Sequence, residues 1–189
     1  MTHVAARTAA RPESRLAAAV LASLPVFGMT AGMIAAACLR ARLPFTPVPV
    51  TLQTLVVLLG SALFGGRRGA AAQGLYLGLG AIGAPVLAGG AYGLAAMAGP
   101  TGGYLVGFLL AAALVGRLLG GRPASWRRVV AVMAAGEIVI LGCGAAYLMI
   151  LGFAPANAVA AGVAPFAVWE AVKVAIAVVS YRLLVPPRP

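Results

Sequence analysis

The chain alternates between long apolar runs and short segments that carry arginine, glycine or proline. A membrane-spanning helix needs about 20 mainly apolar residues, and six runs approach or reach that length. They cover residues 16–39, 51–65, 70–88, 102–119, 126–151 and 165–184. The pattern predicts an all-α membrane protein with a polar tail over 1–15 and a single six-helix transmembrane domain over 16–185.

The arginines indicate how this domain is oriented. With six spans, both termini and the turns at 65–69 and 117–128 lie on one side, which collects eleven arginines. The opposite side has two, Arg40 and Arg42. Because basic residues accumulate in cytoplasmic loops, we predict that both termini are cytoplasmic and that the protein is a multi-pass component of the bacterial cytoplasmic membrane.

Three charge-poor segments, 40–50, 88–102 and 152–164, then face outward. Pro44, Pro47 and Pro49 oppose a regular helix in the first of them. Irregular backbone at membrane depth is tolerated where it lines a cavity or is buried in protein. We therefore expect three outward loops around a pocket, with Gly89, Gly90 and Gln53 among its residues and Thr51 capping the second helix.

Composition supports the membrane interpretation and narrows the partners. Hydrophobic residues make up 62% of the chain and charged residues 9%, against about 25% charged residues in soluble domains. The net charge of +11 could suit nucleic acid. The arginines lie between apolar runs, however, so the positive-inside rule explains them better, and we expect contact with lipid and none with nucleic acid.

The last apolar run contains the most unusual residues. Lys173 is the only lysine in the protein, and Glu170 is one of three acidic residues. Residues three apart share a helix face, and ionisable groups within membrane segments are functional-site candidates. The pair either binds a ligand or is a structural ion pair. Phe166 and Trp169 are predicted to lie on the same face as Lys173.

Two further features are candidates for the same pocket. Glu137 lies near the middle of the fifth helix, where it is protonated, pairs with Lys173 or faces the pocket. Thr101 and Tyr104 begin the fourth helix, whose free N–H groups favour an anion.

Several kinds of site are missing from the sequence. It has no Walker A motif, no GxSxG motif and no aspartate, and its one histidine, His3, is in the tail. We predict no catalytic residues, no metal site, no cofactor and no ATP hydrolysis by this chain itself.

Three segments closely resemble signatures of the BioY family. They are Pro44-Phe45-Thr46-Pro47-Val48-Pro49-Val50-Thr51-Leu52-Gln53-Thr54-Leu55, Gly80-Ala81-Ile82-Gly83-Ala84-Pro85-Val86 and Gly99-Pro100-Thr101-Gly102-Gly103-Tyr104-Leu105. The acid-x-x-lysine of the last helix matches too, with Glu170 where the family more often has aspartate. The resemblance covers about residues 16–185.

The resemblance implies a biotin-binding S component of an energy-coupling factor (ECF) transporter, with a six-helix S-component bundle. Its partners would be a transmembrane coupling subunit and two ATPase subunits, and the ATPases alone would hydrolyse ATP. Glu170 and Lys173 would contact biotin, and Ala31 and Ala35 of the first helix would meet the coupling subunit. Self-association is also possible.

Biotin chemistry fits these residues. Its ureido ring has two N–H donors for Glu170 and a carbonyl acceptor for Lys173, and its carboxylate would lie near Thr101. The reverse orientation, with the carboxylate on Lys173, stays open at this point. So does a different function, namely a secondary carrier or channel for a small solute that works without ATPase partners.

Overall fold

The computed structural model describes the backbone of residues 12–186 and the side chains from Ala19 onward. The tail residues 1–11, including His3, and residues 187–189 lie outside the described part. Eight α-helices are present in that part, and they are joined by short turns, one β-ribbon and one 3-10 turn. The helices are α1 Pro12–Cys38, α2 Gln53–Phe64, α3 Gly66–Ala81, α4 Gly93–Met97, α5 Gly102–Leu118, α6 Trp126–Ile150, α7 Pro155–Gly162 and α8 Ala167–Leu184.

Three stretches of the described chain are long and apolar enough to cross a membrane, judged by length and composition. They are Ala19–Cys38, Trp126–Ile150 and Pro155–Leu184. The helices α2 and α5 are apolar but shorter, with 12 and 17 residues. The helical, apolar architecture agrees with the predicted class, while six spans with cytoplasmic termini stay a prediction.

The centre of the bundle is formed by α2 and α5. The helix α5 packs against α2, α3 and α6, and α2 also contacts α1, α3 and α8. Their contacting faces are fully buried at Leu58, Ala111 and Val115. Large apolar side chains such as Leu24, Phe27 and Ile138 remain exposed around the outside, as expected for a surface that faces lipid or another membrane subunit.

The segments predicted as outward loops contain more structure than expected. Segment 40–50 includes strand β1 (Arg40–Ala41), which pairs with strand β2 (Val50–Thr51) in an antiparallel ribbon. The helices α4 and α7 lie within segments 88–102 and 152–164. Proline at the first turn suits a helix start, and Pro155 begins α7 in this way. The prediction of loops was therefore wrong for 88–102 and 152–164, whereas segment 40–50 contains no helix, as its prolines predict.

Two helix boundaries also differ from the prediction. Thr51 lies in β2, and Leu52 is the residue preceding α2, although the Thr51 hydroxyl accepts a hydrogen bond from the Gln53 N–H. The predicted turn at 65–69 is almost entirely helical, because Gly65 alone makes the break with a φ of 91°. Gly66 then packs closely against Gly116 of α5.

Glycines set the distance between α5 and α6. A Cβ atom at Gly107 would lie 2.8 Å from the Ile140 Cα, and one at Gly103 would overlap the backbone of Cys143. Small residues four apart allow close helix approach in membrane proteins. By contrast, a Cβ atom at Gly74 or Gly78 of α3 would meet nothing within 4 Å, so that pair does not mediate packing within this chain.

The variant Gly107→Leu should therefore lower the melting temperature of the detergent-purified protein. Inserting a side chain into a tightly packed contact typically costs about 1–3 kcal/mol. Gly78→Leu is the matched control and should leave the melting temperature unchanged or slightly higher, since leucine favours helix. Scanning fluorimetry measures both, and equal melting temperatures would contradict the close contact.

Candidate functional site

The buried pair on α8 is held at the start of α2. The Lys173 Nζ donates to Glu170 Oε1 at 2.6 Å and to the backbone carbonyl oxygen of Thr51 at 2.7 Å. The second carboxylate oxygen of Glu170 accepts a hydrogen bond from the Thr54 hydroxyl at 2.7 Å. Glu170 and Lys173 are only 5% and 4% exposed. The charges of Lys173 and Glu170 therefore neutralise one another, and their further hydrogen bonds join α8 to β2 and α2.

These groups retain hydrogen-bonding capacity. An ammonium has three donors and a carboxylate about four acceptor positions. Lys173 uses two donors, and Glu170 accepts two hydrogen bonds. One donor of Lys173 and further acceptor positions of Glu170 are left unused by these hydrogen bonds. The site can thus accept hydrogen bonds from N–H groups and donate one to a carbonyl or carboxylate oxygen.

A narrow cavity reaches the carboxylate of Glu170. It lies between the β-ribbon, the starts of α2 and α5, the middle of α6 and the 3-10 turn Ala164–Phe166. Its volume is about 50 Å³, which is well below the roughly 300–1,000 Å³ of small-molecule pockets. We call this space the inner pocket. Its lining residues are Val48, Pro49, Thr51, Gln53, Thr54, Leu87, Ala88, Thr101, Tyr104, Leu105, Phe108, Ile140, Leu141, Phe166 and Glu170.

Two aromatic rings form part of the wall of the inner pocket. Tyr104 and Phe166 pack edge to face, with ring centroids 6.5 Å apart. The Tyr104 hydroxyl donates to the Gly162 carbonyl oxygen at 2.6 Å, and its ring lies where a Cβ atom at Gly144 would be. The Tyr104 ring is therefore fixed by packing and a hydrogen bond, and the Phe166 ring packs against it.

A hydrogen-bond chain begins at two pocket-lining residues, Thr51 and Gln53. The Gln53 amide donates to the Tyr76 hydroxyl at 2.7 Å, and that hydroxyl donates to the Val86 carbonyl oxygen. The Thr51 hydroxyl donates to the Gln53 side-chain oxygen at 3.2 Å. Each member is in a segment near the pocket, so the chain fixes the start of α2 against α3 and the turn that follows it.

Glu137 lies beside this arrangement, outside the inner pocket. It is 6% exposed, and neither carboxylate oxygen has a hydrogen-bond partner within the described chain. Together with Glu170 it lines a largely apolar groove between α6 and α8. The alternative that Glu137 forms the ion pair with Lys173 is therefore wrong for this conformation, because Glu170 takes that place.

Comparison with known proteins identifies the family. A sequence profile of the BioY family matches residues 10–188. The chain belongs to the BioY family. This confirms the resemblance drawn from the segments at 44–55, 80–86 and 99–105.

Similar BioY proteins come from several organisms. The chain is 36% identical over 135 residues to the biotin transporter BioY of Thermotoga maritima, covering 71% of this chain and 79% of that protein. It is 41% identical over 121 residues to the biotin transporter BioY of Rhodobacter capsulatus, covering 64% and 62%. A 2.1 Å crystal structure of the S-component for biotin from an ECF-type ABC transporter matches with a TM-score of 0.77 and 27% identity, covering 93% and 94% of the two chains.

Half of the ten residues predicted to bind the substrate converge in this BioY fold. The inner pocket brings together Gln53, Thr101, Tyr104, Phe166 and Glu170. Lys173 does not line it but is hydrogen-bonded to Glu170 directly behind the pocket wall. Among the described residues, no group of three His, Cys, Asp or Glu side chains is arranged as metal ligands.

Trp169 does not join them. It is 58% exposed, whereas Phe166 is 3% exposed. The prediction of a face shared by Phe166, Trp169 and Lys173 was therefore wrong for Trp169. Trp169 and Glu170 are neighbours in α8, so their side chains lie about 100° apart around the helix. The buried face is the one that carries Glu170 and Lys173.

Gly89 and Gly90 do not line the inner pocket either. They form the tip of a tight turn in which Leu87 pairs with Ala91, and both have positive φ. Their neighbours Leu87 and Ala88 line the pocket instead.

Sequence reasoning did not identify Thr54 or the Thr51 carbonyl as partners of the pair. Thr54 lies within the BioY-like segment 44–55 and directly follows Gln53, so the sequence did contain a signal for it. A backbone carbonyl, however, carries no sequence signal. The turn that presents the Thr51 carbonyl to Lys173 arises from the β-ribbon.

Replacing one member of the Glu170–Lys173 pair should lower the stability of the protein more than replacing both. Lys173→Met leaves a buried carboxylate without its cation and should destabilise the protein by about 3–5 kcal/mol. Glu170→Leu combined with Lys173→Met should recover most of this loss, because apolar replacement of both partners is often near neutral. Titration with a denaturing detergent measures the free energy of unfolding of the parent, of Lys173→Met and of the double variant.

A double variant as unstable as Lys173→Met would show that the pair is not the unit that determines stability here. Val168→Met, at an exposed position of α8, controls for the effect of introducing methionine.

Proposed function

We propose that this protein binds biotin with high affinity and takes part in its uptake across the cytoplasmic membrane, as the substrate-specific component of an ECF transporter. The observation that carries the proposal is the buried Glu170–Lys173 pair, whose Glu170 lines the inner pocket, in a chain whose family includes biotin transporters. Transport, rather than enzymatic catalysis, is the activity of these relatives.

The ureido ring of biotin complements the floor of the inner pocket. Its two N–H groups can donate hydrogen bonds to the free acceptor positions of Glu170, and its carbonyl oxygen can accept a hydrogen bond from the remaining N–H of Lys173. Charge-assisted hydrogen bonds of this kind are short and directional. The fixed rings of Tyr104 and Phe166 offer apolar surface to the bicyclic ring and its sulfur.

The small volume of the inner pocket supports a conformational step. A cavity of about 50 Å³ has room for very few water molecules, so biotin enters only when the surrounding segments move apart. The Thr46 hydroxyl donates to the Ala161 carbonyl oxygen at 2.6 Å and so joins segment 40–50 to α7. We propose that segments 40–50 and 88–102 open to admit biotin and close over it.

Glu137 is proposed as an auxiliary site residue. Its buried carboxyl lies in the groove that also exposes one side of Glu170, so it influences the charge at the floor without lining the inner pocket. Gln53 and Thr101 are proposed to contact biotin from the pocket wall, where Gln53 is already oriented by Tyr76.

The proposed topology has six spans, both termini in the cytoplasm and the inner pocket open to the outside. It follows the arginine distribution of eleven against two. The partners are a transmembrane coupling subunit and two ATPase subunits, with self-association as a further possibility. Ala31 and Ala35 lie on the exposed side of α1, where their small side chains permit close approach of a partner helix.

Purified protein should bind biotin with a Kd in the nanomolar range, about −12 kcal/mol. Glu170→Gln and Lys173→Met should each weaken binding by at least about 100-fold, since each leaves a buried charge without its partner. Isothermal titration in detergent measures the affinities. Trp169→Phe is the control and should bind like the parent, because Trp169 points away from the pocket.

Parent-like biotin affinity in both Glu170→Gln and Lys173→Met would refute the assignment of this pair to the ligand.

The α1 surface should be needed for transport but not for binding. Replacing Ala31 and Ala35 together by leucine should leave the biotin Kd unchanged and reduce copurification with the coupling subunit and cellular biotin uptake by about tenfold or more, the effect of losing 1.4 kcal/mol. Gly142→Leu is a matched control on the exposed side of α6. Uptake and copurification at parent levels in the α1 variant would contradict this role.

A further inference from the structure

A second cavity adjoins the inner pocket on the side of the β-ribbon. We call it the outer chamber, and its volume is about 380 Å³. Five residues line both spaces, namely Val48, Pro49, Leu87, Ala88 and Thr101. The two cavities are therefore neighbours that share these five residues. A ligand with its ring in the inner pocket would extend its chain toward the outer chamber.

The outer chamber is lined by Arg40 and Arg42. Arg40 is half-buried and Arg42 is exposed. Within the described chain, the one ion pair between side chains is Glu170–Lys173, and neither arginine has a carboxylate partner there. A guanidinium has five N–H donors in a fixed fork that suits a carboxylate. Two such groups at one cavity, with no neutralising acid, favour an anion.

The turn after α3 provides a place for the Arg40 side chain. Gly89 and Gly90 both have positive φ, 81° and 74°, which glycine adopts at little cost. A Cβ atom at Gly89 would overlap the guanidinium of Arg40. The glycine at this position thus allows the guanidinium to lie directly on the turn at the edge of the chamber.

The β-ribbon ties Arg40 to the floor of the inner pocket. Arg40 of β1 is directly opposite Thr51 of β2, and the Thr51 carbonyl accepts the hydrogen bond from Lys173. Residues opposite one another in an antiparallel pair lie about 4.5–5.5 Å apart. The cation of the chamber and the ion pair of the inner pocket are therefore fixed to the same short piece of backbone.

We propose that Arg40 binds the carboxylate of the ligand whose ureido ring lies against Glu170 and Lys173. This inference rests on the proposed function and deepens it. It orients biotin with its ring at the floor and its acidic tail in the outer chamber, where Thr101 stands at the junction of the two cavities. Arg42, being exposed, adds to the local positive potential without direct contact.

The test compares biotin with its uncharged amide. Isothermal titration on the detergent-purified full chain gives the ratio of the two affinities for each variant. The parent should prefer biotin, and Arg40→Gln should lose that preference through a roughly 10- to 100-fold weaker affinity for biotin. Its affinity for the amide should change by less than about twofold, the scatter expected when no charged contact is lost.

Two variants sharpen the result. Arg42→Gln should keep most of the preference for biotin, and its effect should vanish at high salt because exposed charges are screened. Gly89→Ala should reduce the preference in the same direction as Arg40→Gln, because its methyl group displaces the guanidinium.

An Arg40→Gln protein that keeps the parent's preference for biotin over the amide overturns the inference. Loss of that preference in Lys173→Met but not in Arg40→Gln also overturns it and assigns the carboxylate to Lys173. A parent protein that binds neither compound overturns the proposed function itself, so the two failures are distinguishable.

Discussion

The contact on which the site depends is the pair of hydrogen bonds made by the Lys173 ammonium, one to Glu170 and one to the Thr51 carbonyl. A lysine buried at 4% exposure must have such partners, because an unpaired charge in this environment is costly. The side-chain partner neutralises it, and the backbone partner fixes α8 against the β-ribbon. The β-ribbon is thereby tied to the charged pair of α8.

The surrounding structure serves to keep that floor polar and narrow. The hydrogen bond from Thr54 orients the Glu170 carboxylate, and the chain from Gln53 through Tyr76 to Val86 fixes the start of α2. Close packing of α5 on α6 at Gly103 and Gly107 brings the Tyr104 ring to the opposite wall. These contacts give the BioY fold a preorganised polar end within an otherwise apolar bundle, and preorganisation reduces the cost of ordering the site on binding.

Sequence alone singled out the charged pair of the candidate site but not the backbone that surrounds it. Glu170 and Lys173 stand out because charges are rare in apolar helices, and the segments at 44–55 and 99–105 carried the family resemblance. Trp169 was misplaced because helical spacing alone does not fix how far the buried face of α8 extends, and Trp169 lies outside the face that carries Glu170 and Lys173. The strands of the β-ribbon, and with them the carbonyl of Thr51 and the position of Arg40 over Gly89, depend on tertiary contacts that leave no periodic signal in two-residue strands.

The central claim is that Glu170 and Lys173 form the floor on which the ureido ring of biotin rests. A crystal or cryo-EM structure of the complex with biotin tests it most directly. The account predicts ureido nitrogens within about 3 Å of the Glu170 carboxylate and the ureido oxygen at a similar distance from the Lys173 ammonium. A biotin molecule whose carboxylate occupies this floor, or whose ring lies elsewhere, would contradict it.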